Sequence, residues 1–376
     1  MALSENYPAI HSHALTNLGL ALSRVGDPAA PATLEEGLRV ALAAGEPEHA
    51  CRAYLCLAGH YLDNLGLAEA ERWLAEGIEF AEGSEFLVYS RYLQMELATL
   101  RFATGDWDEV AAAAAPAMEG SPPFRCAALT VAGRTRLRRG EPGAREMLRE
   151  AWRLAVPLAE PQRLGPAAAA LAEAAALDGD AGAALPELTE AFETVRTFGR
   201  VLWRAELAYW LGRAGRPVGG QGLDHPYAMQ ADGRWRPAAE AWRAAGFPYE
   251  HAVALTESPE VADQIAALGV LDGLGARPLA RLVRARLRDR GVAGVPRGPA
   301  AATRVNPAGL TARQAEVVRL MAGGLSNAEI ADRLVLSVRT VESHVAAALG
   351  KLGTGTRREA AARASELGIL DARPRT

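Results

Sequence analysis

The stretch LTARQAEVVRLMAGGLSNAEIADRLVLSVRTVESHVAAALGKLGTGTRREAAARASELGIL, residues 310–370, decides the fold class. Three hydroxyl residues in it are each followed three positions later by a Glu or Gln: Thr311 with Gln314, Ser326 with Glu329, and Thr356 with Glu359. In such a capping box the hydroxyl accepts from a free N–H of the first helical turn, and the Glu or Gln accepts from the N–H of the capping residue. Ser337 supplies a fourth, simpler cap. Gly323-Gly324 and the stretch Gly353 to Gly355 break the elements, so the pattern predicts four short helices.

The two central helices, 327–334 and 338–352, are separated by Val335, Leu336 and Ser337, a turn of the length found in helix-turn-helix motifs. Along the second of them Val341, Val345, Leu349 and Leu352 recur at helical spacing and are predicted to pack inward on Ile330, Leu334 and Leu336. Arg339, Glu342, Ser343 and Ala346 then face outward, where side chains reach base edges in a major groove. Glu342 can accept from a cytosine amine, or it is a solvated first-turn carboxylate favoured by the helix dipole.

Four pieces carry a family likeness: Leu310-Thr311-x-Arg313, Gly324-Leu325-Ser326-Asn327-x-Glu329-Ile330-Ala331, Leu336-Ser337-x-x-Thr340-Val341-x-x-His344-Val345, and Lys351-Leu352-Gly353. Residues 310–370 resemble the LuxR-type (NarL-like) DNA-binding domain over nearly its whole length. The resemblance implies a sequence-specific DNA-binding transcriptional regulator with helix 338–352 in the major groove of double-stranded DNA. It places Glu342, Ser343 and Ala346 at bases and Thr340, Lys351 and Arg357 near phosphates, with Asn327 and Arg339 completing the expected DNA-binding set. It also implies a homodimer through the fourth helix, with RNA polymerase as a candidate partner. Two departures stand out. Gln314 replaces the usual Glu, and Ala346 and Ala347 stand where many members carry polar residues, which shifts weight from base reading to phosphate contacts. The alternative is a helical protein-interaction scaffold with a weakened DNA-binding end.

Upstream, Gly26, Gly66, Gly105, Gly140, Gly179 and Gly215 each close an apolar-periodic segment, at spacings of 40, 39, 35, 39 and 36 residues. A break at that interval, with a helix on each side, marks stacked helical hairpins; an irregular bundle is the competing arrangement. Leu57, Tyr61 and Leu65 run up to Gly66, and Ala70, Trp73, Leu74 and Ile78 resume beyond it. At Gly105-Asp106-Trp107 the glycine suits a left-handed turn and Asp106 a cap. Residues 216–232, with Pro217, Gly219, Gly220, Gly222 and Pro226, read as a loop. Helices resume at 237–246, 261–271 and 278–290. The sequence from Gly291 to Asn306 reads as a linker.

The hairpins resemble tetratricopeptide repeats, although their period exceeds that family's usual one. The expected architecture is therefore all-α: a tetratricopeptide-like helical-hairpin solenoid over residues 1–290, serving as a sensor or interaction domain, a linker over 291–306, and a four-helix LuxR-type domain over 307–372. The solenoid is expected to take an unknown protein or small-molecule effector. Trp242, Gly246 to Glu250 and Leu274 to Pro278 further resemble the C-terminal part of the large ATP-binding LuxR regulators. Lys351 is the one lysine in 376 residues, so no phosphate-binding G-x-x-x-x-G-K-[ST] loop is possible. The expectation is a shortened relative or a fragment of a longer product.

Charge divides the chain in the same way. Residues 1–272 hold 23 Arg and no Lys against 37 Asp+Glu, a net −14, whereas residues 273–376 hold 18 Lys+Arg against 8, a net +10. A basic end on an acidic body points to a polyanion at that end. The arginines at 281, 284, 286, 288 and 290, with Arg297 and Arg304, either touch phosphate or form a solvated face. Cys51, Cys56 and Cys126 read as small buried hydrophobes. No long uncharged apolar run and no leader-like start are seen, so a cytoplasmic protein without a membrane segment is expected. His11 and His13 lack nearby carboxylates, and no catalytic motif occurs, so no enzyme, cofactor or metal is expected.

Overall fold

Proline and glycine set the helix limits over the first three quarters of the chain. In the computed structural model, which describes residues 7–370 apart from Gly199, Gln221, residues 299–305 and Pro307, the described residues form twenty α-helices and no strand. Contacts divide the chain into Met1–Pro296 and Arg297–Thr376.

The first unit is a run of eight helical hairpins: α1 (Pro8–Val25) with α2 (Ala30–Ala44), α3 (Pro47–Asp63) with α4 (Leu67–Gly83), α5 (Leu87–Thr104) with α6 (Trp107–Met118), and α7 (Pro122–Arg139) with α8 (Ala144–Leu158). There follow α9 (Pro161–Leu177) with α10 (Leu185–Phe198), α11 (Val201–Arg213) with α12 (Pro226–Ala231), α13 (Trp235–Ala244) with α14 (Pro248–Thr256), and α15 (Val261–Gly273) with α16 (Arg277–Asp289). The first helices of consecutive hairpins, α1, α3, α5, α7, α9 and α11, pack side by side, as in a helical solenoid. Helices α1, α2, α3, α7, α9, α14 and α16 start with proline at the first or second position and use no side-chain cap. Proline fits there because its missing N–H would have had no helical acceptor.

Each hairpin turns at a left-handed residue: Gly26, Leu65, Gly105, Gly140, Gly179, Gly215, Gly246 and Gly275. Seven residues before the first seven of these sits a small buried residue, namely Gly19, Ala58, Ala98, Gly133, Ala172, Ala208 and Ala239. The close approach of the partner helix requires it. A Cβ on Gly19 would lie 2.6 Å from Leu34 Cγ, and one on Gly133 2.6 Å from Leu148 Cδ2. Leu34 and Leu148 are fully buried, and truncating either to Ala would cost about 2–5 kcal/mol.

Several local expectations change. The second hairpin turns at Leu65, with φ 63°, and Gly66 instead precedes α4 with an ordinary negative φ. Asp106 sits at the start of α6, but its carboxylate accepts from the Thr104 hydroxyl at 2.6 Å rather than capping the helix. The expected loop over 216–232 contains α12, six residues long and too short to show a period; His225 Nδ1 caps it by accepting from the Tyr227 N–H. Helix α14 was not anticipated either. In the expected linker, Val292 and Val295 pack on the body and Arg284 Nε donates to the Pro296 carbonyl at 2.8 Å. The part of the linker that includes Arg304 lies outside the described residues, as do residues 1–6 and 371–372. Cys51 and Cys126 are buried and Cys56 half-buried, all three as free thiols, and burial pushes the first two up to about 11. No helix among the described residues is long and apolar enough to cross a membrane.

The last hairpins turn back onto the stack. Helix α14 packs on α5, and α16 packs on α7 and α9. Phe102, Trp107 and Val110 there share one apolar cluster with Tyr249, Leu268, Leu271, Val283 and Leu287. The inner side of the stack is thus partly filled by the chain itself.

An ionic cluster joins these layers. From α7, Arg134 Nε donates to Glu173 Oε2 at 2.9 Å and its Nη2 to Glu206 Oε1 at 2.8 Å. Arg138 Nε donates to Glu173 Oε1 at 2.7 Å, and its Nη2 to Glu250 Oε1 at 2.8 Å. All five side chains are buried. The Arg138 guanidinium also lies 3.7 Å from the centre of the Tyr249 ring and 4.2 Å from that of Phe102. Burial alone would raise the Glu173 carboxyl, but Arg138 and Arg134 hold it down at about 2.

Because the folded-state pKa lies below the unfolded one, Glu173 contributes stability that is complete above about pH 5 and is lost as pH falls towards 2, on the order of 3 kcal/mol. Glu173→Gln is expected to destabilise the chain by about 3–5 kcal/mol at pH 7, since it leaves buried guanidiniums short of a counter-charge. The same variant should flatten the loss of stability between pH 5 and pH 2. Urea unfolding followed by circular dichroism at several pH values checks both; an unchanged acid limb in the variant would remove the role assigned to the cluster.

Candidate nucleic-acid interface

In the second unit four helices form where the capping residues place them: α17 (Ala312–Ala322), α18 (Asn327–Leu334), α19 (Val338–Leu352) and α20 (Arg357–Glu366). All three capping boxes close. The Thr311 hydroxyl accepts from the Gln314 N–H at 3.1 Å while Gln314 Oε1 accepts from the Thr311 N–H at 2.9 Å. Ser326 with Glu329 and Thr356 with Glu359 repeat the arrangement at the starts of α18 and α20. Hydrogen bonds from Ser326 hold the Glu329 carboxyl below its ordinary range. Ser337 caps α19 alone, accepting from the Thr340 N–H at 3.1 Å. Each cap is worth about 1 kcal/mol, a large share of what an eleven-residue helix has.

The turn between α18 and α19 closes with the Leu336 N–H donating to the Ala331 carbonyl at 2.9 Å. This helix ending needs a left-handed residue, and here it is Val335, with φ 53° and ψ 53°. Val335 is 90% exposed, so no packing offsets the conformation.

Helix α19 buries Val341, Val345, Ala348 and Leu352 against Ile330, Leu334, Val317 and Val318. Leu349, expected in this stripe, is half-buried at its edge and Ala348 takes the central place. The reason is that 3.6 residues per turn, accumulated from Val341, brings position 348 rather than 349 back to the core. On the opposite face Arg339, Glu342, Ser343 and Ala346 are exposed, as the spacing predicts.

The remaining expected contact residues have partners inside the protein. Thr340 is half-buried with its hydroxyl 2.7 Å from Ser337 Oγ. Lys351 is exposed, and its Nζ donates to the Gly309 carbonyl at 2.7 Å and to Gln314 Oε1 at 2.9 Å. Arg357 is half-buried; Nη1 donates to Asn327 Oδ1 and Nη2 to the Leu325 carbonyl, both at 2.6 Å. Arg357 and Asn327 are therefore brought together, and they tie the start of α20 to the start of α18. Among the described residues of this unit, Arg297, Arg333, Arg339 and Arg358 have no hydrogen-bond or ion-pair partner and are exposed. Of those on the four helices, the sequence pattern points to Arg339 alone. The position of Arg333, off the Ile330 and Leu334 stripe, was the available signal for a second one. No group of His, Cys, Asp and Glu side chains that could hold a metal occurs among the described residues.

Residues 308–364 match the family model described as bacterial regulatory proteins, luxR family. Residues 308–364 are a LuxR-family helix-turn-helix domain. Within this region the chain is 42% identical over 59 residues to the DNA-binding transcriptional activator DevR/DosR of Mycobacterium tuberculosis. The matched segment is 16% of this chain and 27% of that protein, so the chain spans about a quarter of the length of this curated relative.

The geometry of the LuxR-family domain separates two kinds of substitution. Val335→Asn is expected to raise its stability by about 1 kcal/mol or less, because Asn tolerates the left-handed region far better than a β-branched side chain. Val341→Asp should unfold the domain by burying an unpaired charge. Thermal unfolding of both variants checks this, and a lower midpoint for Val335→Asn would show that the turn is not strained.

Proposed function

We propose that the chain is a sequence-specific DNA-binding transcriptional regulator whose LuxR-family domain inserts α19 into the major groove, with the helical body acting as its effector-responsive module. The observation that carries this reading is the exposed face of α19: Arg339, Glu342, Ser343 and Ala346 point outward with no internal partner, beside a capped helix start. The Mycobacterium tuberculosis relative is a DNA-binding transcriptional activator, which supports it.

In this reading Glu342 and Ser343 offer one acceptor and one hydroxyl to base edges, and Ala346 offers a methyl group to a thymine methyl. Arg339, Thr340 and Asn327 lie beside them on the phosphate side. Lys351 and Arg357 keep donors free beyond those already used: an ammonium has three N–H groups and a guanidinium five, and each uses two internally. Both can hold the fold and reach a phosphate together. A homodimer through α20 would present two such faces to two half-sites, with RNA polymerase as the machinery acted upon.

Selection from a random duplex library, run at two salt concentrations, tests the assignment. Wild type is expected to enrich a defined site and to lose affinity with salt. Arg339→Ala, Lys351→Ala and Arg357→Ala should each flatten the salt slope by about one unit or less, and Arg357→Ala should also lower the unfolding midpoint. Ser343→Ala should change preference at one or two positions, at about 1 kcal/mol or less. If wild type shows neither sequence preference nor salt dependence, the regulator reading falls and the scaffold reading replaces it.

A further inference from the structure

The inner side of the hairpin stack keeps a cavity of about 290 Å³ where α14 and α16 do not fill it, at the lower end of the range for small-molecule sites. Helices α5, α7, α9 and α11 form one wall, and Tyr227, Trp242, Phe247 and Glu250 from the returning C-terminal hairpins form the other. Exposed Gln162 lies at its mouth. Along α5 the lining residues Tyr92, Glu96, Thr99 and Ala103 recur at helical spacing, so one face of that helix looks into the space.

The charges around the cavity are unevenly paired. Arg134 is held by Glu173 and Glu206, and Arg200 is paired with Asp63. Arg163 has only a long contact of 3.8 Å to Glu160. Glu96 has no hydrogen-bond or ion-pair partner, and Glu250 uses one carboxylate oxygen on Arg138 while its Oε2 is buried with no partner. Two carboxylates thus present unused acceptors at one lined space. One turn from Glu96, Tyr92 lies against Phe124 with ring centres 3.9 Å apart, and aromatic faces favour a cation over an anion.

We infer that this cavity binds a small organic amine, its protonated nitrogen held by Glu96 and its apolar body lying against Tyr92 and Phe124. Burial raises the Glu96 carboxyl above its ordinary range, and Arg163 opposes that shift. Glu96 is half-buried, and a carboxyl partly withdrawn from water without a hydrogen-bond partner costs stability unless something returns a counter-charge, which an ammonium does. An amine seated there touches both the stacked helices and α13 and α14, so its binding favours the closed arrangement of the body by mass action. Regulation of DNA binding by such a ligand rests on the reading proposed above; the binding itself does not.

Calorimetry of the full chain with four probes on one scaffold tests the inference: phenethylamine, phenylalanine, phenylpropionate and phenylethanol, with putrescine added to vary the cation's shape. Phenethylamine or putrescine is expected to bind at least tenfold more tightly than phenylpropionate and phenylethanol. Glu96→Gln should weaken it at least tenfold while raising the unfolding midpoint of the ligand-free protein, a rise that a merely structural Glu96 would not give. No amine binding at millimolar concentration, equal binding of the acid or the alcohol, or full affinity in Glu96→Gln would each overturn it. Calorimetry is run without DNA, so a chain that fails to bind duplex bears on the regulator reading and leaves this result separate.

Discussion

The helical body depends on a charge arrangement that links residues far apart in the chain. Glu173 on α9 receives both Arg134 and Arg138 from α7, and Arg138 reaches across to Glu250 on α14. A buried guanidinium with no counter-charge would be far costlier than an apolar side chain there. The return of the last hairpins is therefore a condition for burying Arg138, and Arg138 in turn holds those hairpins against α7. The Tyr249 and Phe102 rings on its flanks add apolar area at the same point. An open stack of hairpins has a nearest-neighbour logic; this cluster adds contacts that the logic lacks.

The LuxR-family domain is built on the opposite principle. Its four helices begin at side chains that cap them within three residues, and the turn at Val335 closes through a bond five residues long. Its long-range side-chain bonds, from Arg313, Arg319, Lys351 and Arg357, secure elements whose limits are already set locally. Among its described residues, Val335 is the non-glycine residue held in the left-handed region, where its sequence opposes its backbone. A glycine there would be easier to fold, so the valine stands out as a residue whose retention stability does not explain.

This contrast accounts for what could be read from the sequence. Capping boxes and the α19 stripe rest on neighbours three to eleven residues apart, so helix limits, turn and exposed face were legible, with Ala348 in place of Leu349 a matter of accumulated phase. The glycine breaks were legible too, but the small residue seven positions earlier was overlooked although it carries the same period. Helices α12 and α14 were too short to show a repeat. The internal partners of Arg357 and Lys351 span 30 to 42 residues, and the Arg138 pair spans 112. No local pattern announces such pairs, because an arginine buried beside a distant glutamate has the same sequence appearance as one on a solvated face.

An interior chosen for stability alone would not look like this one. Replacing a buried ion cluster by well-packed apolar side chains is commonly neutral or stabilising, and the neighbouring hairpins do without one: Leu34 and Leu57 lie in one apolar cluster and Leu148 in another. Buried polar atoms without partners occur in several parts of the body, Arg52, Trp73, Glu187 and His225 among them, and three lie at this cluster or beside it. Glu250 Oε2, Arg138 Nη1 and Arg163 Nε are all buried and unsatisfied, and they belong to the cavity wall or to the cluster directly behind it. A departure from local consistency that stability does not explain points to a requirement other than folding. Glu250 and Arg138 stand where the stacked helices meet the returning hairpins, a region where a bound molecule would touch both.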